Sequence, residues 1–244
     1  MSAFLKVGHG RPYASLLESV EGGAVNGRYS IVTLSPDTVW RCRDGQADIA
    51  RGDDILTDTF TPETLPALDS LRALIAASKF DLPADLPPMA AGLFGVFGYD
   101  MVRLLEPLGP ANPDPLNLAD AVLARPSLVA IFDSVKHEII LVAAAYADTS
   151  LDADLAYRAA VARLDEFEDR LRSPMPIQRE AEPVPAPDFQ SPVDEAGFAA
   201  MVAKAKEYIV AGDIFQVVLA HRFSAPWSQD PFAFYRALRR GNPS

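Results

Sequence analysis

"RYSIVTLSPDTVWRCRDGQADIAR", Arg28 to Arg51, carries the strongest statement about fold in the chain. Its first part is rich in Ile, Val and Thr, which suit a pleated, half-buried surface. Asp44-Gly45 then separates two segments of strand-like composition. That dipeptide favours the two-residue turn whose twist matches a β-hairpin. A two-residue connection can only join antiparallel neighbours. The stretch therefore predicts a strand over Arg28–Pro36, then a hairpin from Thr38 to Arg51. "LLESV" (Leu16 to Val20) reads as a further strand before it, with Gly22, Gly23 and Gly27 loosening the connection.

Outward from this hairpin, helical and strand periods alternate. "LPALDSLRALIAAS" (Leu65 to Ser78) spaces its apolar residues for one face of a helix. "AAGLFGVFGYD" (Ala90 to Asp100) reads as an apolar strand interrupted by Gly92, Gly95 and Gly98, with "DMVRLLE" following as a short helix. Glycine inside a strand marks a bulge or a close approach of another backbone. "SLVAIFDSVKHEIILVAAAY" (Ser127 to Tyr146) predicts two strands joined by a turn near Ser134 to His137, and Leu151 to Ser173 a long amphipathic helix of good helix formers. Pro174 to Pro192 holds six prolines without periodicity and reads as a linker. Beyond it come a helix ending at Gly212, an apolar strand "DIFQVVLAHRFSAP", and a helix opened by Asp230 and Pro231. The class expected is α+β, with antiparallel β-sheet and helices packed outside it.

Composition narrows the function. The 244 residues carry a formal net charge of −11 and a pI near 4.7. Phosphate recognition needs clustered Lys and Arg, so a nucleic-acid or anionic-membrane surface is not expected. Cys42 is the only cysteine, which excludes an intrachain disulfide and suits a reducing compartment. The start of the chain lacks a basic segment followed by a long apolar run, and no stretch approaches the ~20 apolar residues of a membrane span. A soluble cytoplasmic protein is expected. His9, His137 and His221 are scattered without metal-ligand spacing, and no phosphate-binding glycine frame occurs.

One residue resists a purely structural account. Gln216 lies among Ile214, Phe215, Val217 and Val218, and an amide there must find hydrogen-bond partners or cost about 1–3 kcal/mol. On strand alternation, Ile214, Gln216, Val218, Ala220 and Arg222 share one face. Phe215, Val217, Leu219, His221 and Phe223 share the other and read as core.

"YIVAGDIFQVVLAHRFSAPWSQDPFAFYRALRRGNPS", "GLFGVFGYDMVRLLEPL", "NPDPLNLADAVLARPSLVAIFDSVKHEIILV" and "LLES" followed by "NGRYSIVTLSP" together resemble the anthranilate synthase component I family of chorismate-utilising enzymes. Four stretches in family order cover nearly the whole chain. The resemblance implies a lyase that converts chorismate and ammonia to anthranilate and pyruvate in tryptophan biosynthesis. It implies Mg²⁺, a glutamine amidotransferase subunit that supplies the ammonia, and feedback inhibition by L-tryptophan. It also implies stacked, sandwich-like sheets flanked by helices. The family usually continues past "NPS" with Pro-Tyr and an apolar residue, so the resemblance implies an N-terminal part. That part comprises a regulatory domain (1–173), the proline-rich linker (174–192) and the truncated start of the chorismate-binding domain (193–244). The metal ligands would lie beyond it, and this part alone is expected to be inactive.

Residue by residue, Glu18, Ser19 and Arg28 match the family's tryptophan-sensing site, and Asn242, Pro243 and Ser244 match the start of the segment that closes it. The chemistry suits an amino acid: a carboxylate takes the ammonium, and a guanidinium takes the carboxylate. Without the resemblance, Glu18 and Arg28 read as a surface ion pair at a strand end, and "GNPS" as a helix stop. Gln216 matches the position at which water-adding relatives carry a lysine general base. A neutral amide cannot deprotonate water, whereas ammonia is nucleophilic without such help. Two alternatives remain. Aminodeoxychorismate synthase component I shares the strand around Gln216, although "LLES" with "GRYSIV" favours the anthranilate enzyme. A non-catalytic amino-acid-binding regulatory module is the other.

Overall fold

The hairpin turn forms as its sequence dictates. Asp44 and Gly45 both adopt positive φ, 48° and 75°, the backbone that a mirror-image turn requires. In the computed structural model, residues 1–21, 25–146, 152–176 and 186–241 are described, residues 19–21, 25 and 26 by backbone alone. The chain divides into two units, Met1–Ile177 and Gln178–Gly241, and the division falls inside the proline-rich stretch.

The first unit is built on one antiparallel sheet. Its strands are β1 (Ser15–Glu21), β2 (Val25–Arg43), β3 (Gln46–Arg51), β4 (Thr61–Pro62), β5 (Phe94–Phe97), β6 (Ala121–Asp133) and β7 (Glu138–Ala143). The central path runs β4-β3-β2-β6-β5, with β1 added to β2 and β7 added to β6. Arg28–Pro36 and the first arm of the hairpin are one strand, not two: β2 continues through Pro36 for 19 residues. The reason lies across the sheet. Pro36 stands directly opposite Pro126 of β6, and the register shifts between Pro36 and Thr38. Neither proline has an N–H to offer the ladder. Two sites that cannot donate thus coincide, and a bulge at Asp37 absorbs them.

The break is braced by side chains. Ser35 takes a positive φ of 49°. Its carbonyl accepts from the Ser127 hydroxyl at 2.6 Å. Arg125 donates to both oxygens of Asp37, at 2.7 and 3.1 Å. On either side of this point β2 and β6 each gain a different outer neighbour: β1 and β7 at one end, β3 and β5 at the other.

Helices cover the sheet. α1 (Ser2–Val7) buries Phe4, Leu5 and Val7, and α2 (Ala67–Ala77) buries Ala67, Ser70, Leu71 and Leu74 at helical spacing. α2 closes a core of Trp40, Cys42, Ile49 and Leu123. Inside that core the Trp40 indole N–H donates to the Ser70 hydroxyl at 3.0 Å, which donates on to Glu63 at 2.9 Å. α3 (Ala153–Arg172) is capped by Asp152, which accepts from the Asp154 N–H, and buries Ala160 and Phe167.

The apolar run from Ala90 to Asp100 yields only the four residues of β5. Short 3₁₀ turns flank it, Pro88–Ala90 before and Tyr99–Leu104 after. Two of its glycines explain themselves. A Cβ on Gly95 would lie 1.9 Å from the Val122 carbonyl oxygen, and one on Gly98 would lie 3.0 Å from that of Asp120. Gly92 instead supplies a φ of +143°.

The second unit holds α4 (Glu195–Ala211) and α5 (Pro231–Gly241). The Asp194 carboxylate accepts from the Gly197 N–H at 2.8 Å to open α4, and Gly212 ends it in the left-handed region at φ 83°. Asp230 accepts from the Phe232 N–H at 3.0 Å to open α5. The expected strand "DIFQVVLAHRFSAP" is not formed. Among the described residues its one bridge is Ser224 to Gln190. A strand exists only through a ladder to a neighbour, and the described residues of this unit provide no second strand to pair along Ile214–Phe223.

Candidate functional site

Glu18 and Arg28 are set by the β1–β2 pairing. Glu18 stands opposite Ser30 and Val20 opposite Asn26, so Gly27, Arg28 and Tyr29 of β2 face the single residue Ser19 of β1, and the bulge lies on β2 at Arg28. The side chain of Ser19, and Asn242, Pro243 and Ser244 altogether, lie outside the described residues.

The surface ion pair expected between Glu18 and Arg28 is not made. The Glu18 carboxylate is buried and lies 3.7 Å from the ammonium of Met1. Arg28 turns to Asp133 at the end of β6, with Nε at 3.1 and 3.2 Å and Nη2 at 2.8 Å. Its guanidinium also lies 4.7 Å from the Tyr29 ring centroid. Asp133 accepts as well from the backbone N–H groups of Val135 and Lys136 at 3.0 and 3.1 Å. The hydrogen bonds from Arg28, then those from the two amides, hold its carboxyl down at about 2. The Ser134 hydroxyl and N–H both donate to the Arg28 carbonyl at 2.9 Å. The β6–β7 turn therefore grips the start of β2, and a wet edge of the Arg28 side chain remains.

This corner has the polarity that a free amino acid needs. A buried carboxylate faces an α-ammonium, and a half-exposed guanidinium stands on the neighbouring strand. The Met1 ammonium is the group that the Glu18 carboxylate faces. The role of Asp133 had no local signal. It is 105 residues from Arg28, and only the β2–β6 register brings the two together.

Gln216 belongs to the second unit. It is exposed there, and its amide makes no hydrogen bond among the described residues. His221, read as a core residue of the same segment, packs against Phe198 and Phe223 with ring centroids 5.5 and 4.3 Å away. Its Nε2 lies 2.5 Å from the Ser191 hydroxyl and 3.0 Å from the Val193 carbonyl. These contacts tie the segment to the start of α4. Among the described residues no group of three or more His, Cys, Asp or Glu side chains could hold a metal ion. The Mg²⁺ implied by resemblance finds no ligand set among them. No helix of the described residues is long and apolar enough to cross a membrane.

Comparison with known proteins bears on the same residues. The family model described as "chorismate binding enzyme" matches residues 29–244. A protein of Cereibacter sphaeroides named anthranilate synthase component 1 is 47% identical over the whole chain, which covers 49% of that relative. The protein of the same name from Thermus thermophilus is 37% identical, again over the whole chain and 49% of the relative. The crystal structure of anthranilate synthase component I from Streptococcus pneumoniae superposes with a TM-score of 0.71 at 28% identity. That match covers 93% of this chain and 48% of the other. The chain thus spans about half the length of the relatives it matches, and by its family match it belongs to the chorismate binding enzymes.

Proposed function

We propose that this chain is the N-terminal half of an anthranilate synthase component I, a lyase that converts chorismate and ammonia to anthranilate and pyruvate. The whole-length kinship with proteins of that name carries the reading. In it the first unit is regulatory and senses L-tryptophan. Glu18 receives the ligand ammonium, Ser19 belongs to the same site by the resemblance, and Arg28 offers its wet edge to the ligand carboxylate while Asp133 fixes the rest of the guanidinium. By the resemblance, Asn242, Pro243 and Ser244 begin the segment that closes the site. The Glu18–Met1 contact supports the ammonium assignment, because it is the same charge-assisted chemistry. The second unit opens the chorismate-binding half, with Gln216 as the neutral amide beside the attacking ammonia. Mg²⁺ and a glutamine amidotransferase subunit complete the enzyme in the cytoplasm.

Calorimetric titration with L-tryptophan, repeated with Ser19→Leu, tests the regulatory half. Saturable heat that disappears in the variant is expected. Folded wild-type protein that gives none, both as this chain and at full length, rejects the tryptophan assignment. Incubation with chorismate, ammonium and Mg²⁺, followed by anthranilate fluorescence, tests the rest. This chain alone is expected to make none, and the protein that carries it at full length is expected to make anthranilate. Formation of aminodeoxychorismate by the latter would overturn the reading.

A further inference from the structure

The bulge that joins the two halves of the sheet also opens a cavity of about 630 Å³. Ser35, Pro36 and Asp37 form one wall, and Ser127 with Ala144–Tyr146 forms a second. Leu155, Ala159 and Arg163, spaced four residues apart along α3, form the roof. The alanines on this stretch of helix leave the hollow, and the prolines, Ile55, Leu56 and Leu155 make it mainly apolar.

Its charges are not balanced. Asp37 is taken up by Arg125. Arg11 pairs with Glu166 at 3.0 Å, and Glu166 is shared with Arg170 at 2.9 Å, so two guanidinium groups draw on one carboxylate. Arg163 has no carboxylate partner among the described residues. Its Nη2 donates to the Ala144 carbonyl at 3.2 Å, and its Nε is buried without an acceptor. The Tyr146 hydroxyl, also on the lining, is buried and unpaired, while its ring is held under Arg125 at 3.9 Å and edge-on to Phe80 at 4.8 Å. Buried polar atoms are nearly always hydrogen-bonded, so two orphans on one lining are unusual. They stand beside a positive φ at Ser35 and a bulge at Asp37, both on the same wall.

We infer that this cavity is a second ligand site, separate from the Glu18–Arg28 corner, for a small carboxylate with an apolar or aromatic body. The anion is held by Arg163, and the body lies against Pro12, Pro36, Ile55 and Leu155. An apolar pocket with a few convergent polar groups is the usual form of a small-molecule site. A planar guanidinium favours carboxylate over a neutral group.

The test uses 3-phenylpropionate and its uncharged amide as probes, titrated calorimetrically at pH 7. Saturable binding of the acid, with the amide at least tenfold weaker, is expected. Arg163→Gln should weaken the acid at least tenfold and leave the amide unchanged. Ala159→Leu fills the hollow without touching the cation and should abolish both. Circular dichroism melts confirm that each variant is folded. No binding of the acid to wild-type protein, equal binding of acid and amide, or undiminished binding in either folded variant would overturn the proposal. Competitive displacement of the probe by L-tryptophan would also overturn it, since the cavity would then not be a separate site.

Discussion

Gly95→Ala should detach β5 from the sheet. The added methyl carbon would sit 1.9 Å from the Val122 carbonyl oxygen and 2.9 Å from the Leu123 Cα. Ordinary contact between such atoms lies near 3.5 Å, so the strands must part by about 1.6 Å at this point. A ladder hydrogen bond of about 2.9 Å would then stretch past 4 Å and cease to be one. β5 meets β6 at only four register pairs, Phe94 to Phe97, with Gly95 second among them. Loss of two or three ladder bonds at about 1 kcal/mol each, with some loosening of Phe94 against Val129 and Ile131, comes to about 2–4 kcal/mol. Urea unfolding gives the free energy, and amide exchange at residues 94–97 reports the strand itself. Gly109→Ala is the control, because nothing lies within 4 Å of a Cβ there. Unchanged stability together with unchanged exchange protection in Gly95→Ala would refute the argument.

Ser70→Ala removes the acceptor of a fully buried indole N–H and should cost about 1–3 kcal/mol. In a Trp227→Phe background only Trp40 emits, so its fluorescence reads the same denaturation, and a change below about 0.5 kcal/mol would count against the buried bond. Asp133 has a carboxyl lowered to about 2 from 3.8, so the fold favours its charged form. Its contribution is complete above about pH 4 and is lost as pH falls towards 2. Asp133→Asn should be less stable than wild type at pH 7, with the difference shrinking below pH 4; a constant difference down to pH 2 would place the loss in something other than this charge.

Local signals in the sequence were reliable where the cause was local. Asp44-Gly45 needed only its own backbone to turn. Asp194 and Gly212 bracket α4 because a carboxylate satisfies free N–H groups and a glycine accepts positive φ. The glycines of "GLFGVFG" announced close packing, and Gly95 and Gly98 provide it. What stayed hidden depended on partners far along the chain. A strand ending at Pro36 and a strand crossing it have the same composition, and only Pro126, ninety positions later, decides between them. Ile214–Phe223 has the residues of a strand, yet pairing is a property of two segments. Arg28 showed its charge but not its partner. The cavity under α3 combines a bulge, a helix face and two orphan polar atoms, none of which has a pattern of its own.

The facing prolines have a consequence for how β2 and β6 find their alignment. Together they pair over twelve positions, with similar β-branched residues along both, and such strands can slide by two residues without exposing a different face. Any slide separates Pro36 from Pro126. Each would then stand opposite a residue whose carbonyl or amide expects a partner, and a single interruption would become two. Arg125 would also lose Asp37. The correct alignment is therefore the one in which both missing donors fall in the same place, and a misaligned sheet carries its own penalty before any core has formed around it.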